Sequence, residues 1–282
     1  MIRNWLRGHP LLVYFAMAFG VSWGGIGCVV AATAFNLAAP RPLETGLFFM
    51  AMLLGPSVSG LMMTALLGGR AGLRQLRSRV LRWRVGARWY AVALLTAPLL
   101  LFAILWSISA LVASAFATHF QWALLAVGLA AGGFEEIGWT GFATPLLLAR
   151  RGVGRAGLQL GLLWALWHAL VVFLFTFGAM GNSWVWSFAI VYLATLTPYR
   201  LLMNWVYVNT QSVLLAVLMH ASYTGWLLVL FPATSPAQSL VWQSAFAAVL
   251  WIMAILVHRN SALRVAGRPL TPTGFHHEEV TR

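Results

Sequence analysis

The sequence predicts an all-α, polytopic membrane protein with about eight transmembrane helices and both termini on the cytoplasmic side. Three observations carry that expectation. Of the 282 residues, 61% are hydrophobic and 8% charged, whereas a soluble domain of this length carries about 25% charged residues. Eight apolar runs are each near the roughly 20 residues that a helix needs to cross the hydrocarbon core. The arginines, finally, alternate with those runs as the positive-inside rule requires.

The first run covers about residues 11–34. Arg3 and Arg7 precede it and Ala32-Thr33-Ala34 resembles a cleavage site, but a signal core is only about 7–15 residues long. A retained helix is the expectation. The remaining runs lie near 46–68, 89–117, 121–148, 157–178, 184–207, 212–231 and 239–258. All 18 basic residues are arginine. With eight spans and the N-terminus inside, Arg3, Arg7, the seven arginines from Arg70 to Arg88, Arg150, Arg151, Arg155, Arg200 and the four of the tail fall on or near the cytoplasmic side. Only Arg41 is left outside, and an odd number of spans breaks the pattern. The net charge of +13 is therefore read as topology and not as a nucleic-acid surface.

The segment from Arg70 to Trp89 sets Leu73, Leu76, Val80 and Trp83 at helical spacing among arginines. It reads either as a helix on the anionic inner leaflet or as an ordinary basic loop. Cys28 is the one cysteine, which excludes an internal disulfide and a cysteine-based metal cluster. With no fixed-period repeat and no low-complexity linker, residues 1–282 are expected to form a single membrane domain. Its core motifs lie at about 130–225 and a short polar tail covers 259–282. The expected setting is the cell membrane, with the lipid bilayer as partner.

Into this apolar frame the stretch GGFEEIGWTGF places Glu135 and Glu136 side by side, the only carboxylates between residues 45 and 277. An ionised group at mid-span costs about 2.5–3.5 kcal/mol on insertion scales. His168 in the fifth run and His220 in the seventh meet the same penalty. A bundle brings such groups together, because lipid offers them no partner. Apolar surroundings disfavour an ionised carboxylate and a neighbouring like charge disfavours it further, which yields a base able to take a proton from water near neutral pH. Neutral imidazoles position water or donate to an oxyanion. Thr224, four residues after His220, adds a hydroxyl on the same face. Trp164, four before His168, is placed to wall the pocket. Gly132, Gly133, Gly138, Gly141 and Pro145 surround the acids and predict a bent or opened helix, since Pro145 cannot donate to the Gly141 carbonyl. Structural hydrogen bonding, a proton relay and, in principle, a Glu/His/His metal site remain open, although no HExxH spacing singles out zinc. From the residues alone the site is an intramembrane acid–base centre, of a hydrolase or a transporter.

FEEIGWTG, LLWALWHALVVF and MNWVYVNTQSVLLAVLMHASYTG together resemble the three motifs of the CPBP intramembrane proteases. That group contains the type II CAAX prenyl endopeptidases and bacteriocin-processing or immunity proteins. The likeness runs from about residue 70 to 225. It implies an eight-helix glutamate protease without a required metal or other cofactor, acting on a peptide or membrane-protein substrate and not on nucleic acid. By that resemblance Glu135, helped by His168, activates water, Glu136 tunes it, and His220 with Thr224 supports the oxyanion. Thr140 stands where the motif has arginine and Thr224 where asparagine is usual. The alternatives are a catalytically inert member acting as an immunity or scaffold protein, and a proton-coupled transporter. Only one run carries a Gly/Pro-broken acid site, which disfavours the transporter.

Overall fold

The structure, a computed structural model, describes residues 2–33, 36 and 41–265. Among them every regular element is helical. The order is α1 (Ile2–Gly8), α2 (Pro10–Thr33), α3 (Pro42–Val80), α4 (Ala87–Leu111), α5 (Leu125–Gly138), α6 (Thr144–Trp167), α7 (Ala169–Met180), α8 (Trp184–Ser187), α9 (Ala194–Thr210), α10 (Val213–Val229) and α11 (Pro236–Val265). Two π-helical turns, Trp139–Ala143 and Phe188–Leu193, join α5 to α6 and α8 to α9.

Among the described residues, each of the eight apolar runs is mainly helical. The fourth is α5 with the π turn and the start of α6, and the fifth is the rest of α6 with α7. By length and composition, Pro10–Thr33, Pro42–Val80, Ala87–Leu111, Ala169–Thr210 and Pro236–Arg259 qualify to cross a membrane, and Val213–Val229 is apolar but shorter. The protein is a multi-pass membrane protein. Leu12, Leu99, Trp106 and Leu111 point outward, as side chains do where the solvent is lipid.

Two glycines mark where spans give way to arginine-rich ends. Gly69 (φ 55°) breaks α3 just before Arg70, and Gly152 (φ 72°) breaks α6 just after Arg151. Both adopt the left-handed region that glycine enters without steric cost. Beyond Gly69, α3 stays helical to Val80 and buries Leu76, while Leu81 and Trp83 are exposed on the chain that follows. Of the tail expected at 259–282, residues up to 265 continue α11 and the rest lies outside the described residues.

At the centre, α5 packs between α3 and α10. Close approach explains two of its glycines. A Cβ on Gly132 would run into the Val217 carbonyl of α10, and one on Gly138 into the Pro56 carbonyl of α3. The opening expected beside the acids is the π turn between Gly138 and Pro145. Gly132 and Gly138 let neighbouring backbones touch, and Gly133 faces open space. Ser57 reinforces the α3–α5 crossing by donating to the Phe134 carbonyl.

Candidate active site

Glu135 and Glu136 occupy the last turn of α5, 4% and 0% exposed. The π turn follows at once, a feature often found at functional sites. Thr144 Oγ1 donates to the Trp139 carbonyl (2.9 Å), fixing the turn from within. Pro145 leaves the Gly141 carbonyl without an α-helical donor, and Arg79 supplies one. Its Nη2 donates to Gly141 O (2.9 Å) and its Nη1 to the Tyr207 hydroxyl (2.9 Å). The basic stretch of α3 thus reaches from the arginine-rich end into the turn that carries the site.

Glu136 is fully paired. Arg200 of α9 forms a bidentate ion pair with it, Nη1 to Oε2 and Nη2 to Oε1, both 2.8 Å. His220 Nδ1 donates to Oε1 (2.8 Å) and Thr140 Oγ1 to Oε2. An ionised carboxylate only accepts, so Nδ1 carries the proton and Nε2 of His220 is left for other work. Arg200 also caps the indole of Trp164, with its guanidinium carbon 4.2 Å from the ring centroid. Arg200, expected on or near the cytoplasmic side, has no exposed surface at all. Thr140 stands where the motif that this stretch resembles has arginine, and here the guanidinium reaches Glu136 from another helix.

Glu135 is held differently. Oε2 accepts from Trp164 Nε1 (2.9 Å) and Trp139 Nε1 (3.3 Å). Among the described residues nothing pairs with Oε1. Trp164 therefore has two faces of function: its edge donates to one glutamate, and its π face carries the arginine bound to the other. The same ring lies 4.9 Å from the His220 ring.

His168 sits where α6 passes into α7. Its Nδ1 donates to the Trp164 carbonyl (2.9 Å), and its ring packs on Trp167 and Tyr192 at 4.8 and 5.0 Å. It is half-buried and bonds neither glutamate, so it joins the cluster through Trp164. Thr224 is half-buried one turn after His220, and its hydroxyl bonds no protein atom among the described residues. The structure thus brings Glu135, Glu136, Thr140, Trp164 and His220 into direct contact, with His168 and Thr224 at the margin. Arg200, Trp139 and Arg79 were not expected. An arginine inside an apolar span carries the same insertion penalty as a glutamate, and that signal marks Arg200.

Several buried polar atoms have no partner among the described residues: Tyr14 OH, Arg79 Nε, Trp167 Nε1, Thr197 Oγ1, Arg200 Nε and both side-chain polar atoms of Asn204. Each, left dry, costs about 1–3 kcal/mol. Among the described residues no group of three or more His, Cys, Asp and Glu side chains is arranged to hold a metal ion. On the other side of α10, a lateral groove of about 570 Å³ opens between α4, α5 and α10. Leu94, Pro98, Phe102, Leu129, Leu218 and Trp226 line it.

The paired carboxylates thus lie inside a helical membrane bundle. Residues 117–226 match the family model described as type II CAAX prenyl endopeptidase Rce1-like. Among curated proteins, CAAX prenyl protease 2 of Methanococcus maripaludis is 29% identical over 109 residues, covering 37% of this chain and 39% of that protein. The match thus spans about two fifths of the relative's length. Over that segment, which holds the polar cluster, the chain is similar to type II CAAX prenyl endopeptidases.

Proposed function

We propose that the protein is an intramembrane endopeptidase in which Glu135 takes the proton of a water that attacks a substrate peptide bond. The carrying observation is the asymmetry of the two acids. Glu136 spends both oxygens on Arg200, His220 and Thr140, whereas Glu135 keeps Oε1 without a partner among the described residues. Arg200 and His220 neutralise the inner acid, so the outer one works as a lone base. His220, with Nδ1 committed to Glu136, and Thr224 on the same face supply the oxyanion donors. His168, held by the Trp164 carbonyl through Nδ1, presents Nε2 to orient the water. The substrate is a membrane-associated protein, and the apolar groove beside α10 is suited to a hydrocarbon chain attached to it. That reading agrees with the name of the relative, a CAAX prenyl protease.

The test is Glu135→Gln, which keeps shape but cannot accept a proton. The variant should fold, since a neutral amide is easier to bury than a carboxylate. Cleavage of membrane-protein substrates, read by comparing protein termini from cells carrying parent and variant, should fall by about 10² or more. Undiminished cleavage leaves Glu135 a structural residue and favours the inert-scaffold reading.

A further inference from the structure

One face of α9 carries polar side chains along its whole length. Thr197, Arg200, Asn204 and Tyr207 follow at steps of three or four residues, so they share a face, and all are buried. The stripe is anchored at Arg200 by Glu136 and at Tyr207 by Arg79, 2.9 Å away. Between and beside these anchors stand polar atoms with no partner among the described residues. They are Thr197 Oγ1, Arg200 Nε, the amide nitrogen and oxygen of Asn204, and Arg79 Nε. Buried polar groups are almost always paired with protein or with ordered water, and lipid provides neither. Asn204 offers donor and acceptor together, midway between two cations. A buried water makes about three hydrogen bonds to such groups, and one file of water satisfies every member of this set.

We infer that the polar face of α9 binds a file of internal water that runs from the arginine-rich end, at Arg79 and Tyr207, to the Arg200–Glu136 pair. Its purpose rests on the hydrolytic function proposed above: the reaction consumes a water per bond cleaved, and this is the path by which water reaches the buried acids. Its existence does not depend on that function.

Radiolytic hydroxyl-radical labelling of the full chain in lipid nanodiscs, without substrate, reads bound water directly. Radicals born from ordered water oxidise the side chains that touch it. Tyr207 on the track and Tyr223 off it are alike in chemistry and in burial, 2% and 4% exposed. Tyr207 should be oxidised well above Tyr223 in the parent protein. Asn204→Leu, similar in volume and apolar, should bring Tyr207 down to the Tyr223 level and lower kcat with KM little changed. Equal oxidation of the two tyrosines in the parent overturns the inference, even if the variant does not fold. Undiminished oxidation of Tyr207 in a folded Asn204→Leu protein overturns it as well. A labelled track beside an active Glu135→Gln protein would sink the proposed chemistry and leave the water file standing.

Discussion

Glu136 and Arg200 form a buried ion pair with no exposed surface on either side. Removing one member of such a pair strands the other charge and costs about 3–5 kcal/mol. Glu136→Gln should therefore lose folded protein, a stronger effect than the tuning role the family resemblance implies for it. Arg200→Gln should do the same, and joint replacement of both by neutral residues should recover much of the loss in thermal unfolding. A second expectation concerns Thr140, which is 1% exposed and already bonded to the pair. Thr140→Arg alone crowds a second guanidinium against Arg200 and should destabilise the protein. Combined with Arg200→Thr, the same change returns one cation to Glu136. A double swap no more stable than either single would mean that Arg200 holds α9 by its stem and its stacking on Trp164, not by its charge.

At the scale of elements, two neighbouring glycines of α5 make opposite predictions. Gly132 touches α10 through its missing side chain, whereas Gly133 faces nothing within 4 Å. Gly132→Ala must push the helices apart, an overpacking cost of about 1–3 kcal/mol, and it displaces His220 from the acids. Gly133→Ala should be neutral or stabilising by up to about 1 kcal/mol through helix propensity. Equal thermal stability of the two variants in detergent would remove close approach as the reason for Gly132. This contrast shows what was legible in the sequence. Hydropathy located the apolar helices, and the insertion penalty singled out Glu135, Glu136 and His220. It could not say which glycine faces a partner, because rotation about a helix axis in an almost uniformly apolar span leaves no periodic trace: α10, which carries His220, has apolar side chains all round. Arg200 was hidden for another reason. Placed near a span end and read with the loop arginines, it fitted the topology rule and so escaped the question asked of the acids.

For the whole molecule, the arginines and the two glycine breaks predict that the end of α3 and the break at Gly152 within α6 face the same side of the bilayer. Cysteines replacing Gln75 and Val153 should react with a membrane-impermeant thiol reagent from the cytoplasmic side only. Native Cys28 lies within α2 with its side chain exposed, toward what should be lipid, and should stay unlabelled from either side. Reaction of position 153 from outside would overturn the arrangement of spans. Arg79 makes that side more than an anchor, because the helix that carries the surface arginines also holds the Gly141 carbonyl of the π turn.

The arginine that pairs with Glu136 from α9 has a bearing on how relatives of this protein are compared. Selection acts on a cation at one point in space, and two helices pass within reach of that point. A lineage can exchange the residue on one helix for the residue on the other, as the double swap of Thr140 and Arg200 does. Relatives should then divide into two sets, with arginine at the position of Thr140 or at that of Arg200 and seldom at both. A chain lacking the residue beside its acids is not thereby disabled. It has moved the charge next door.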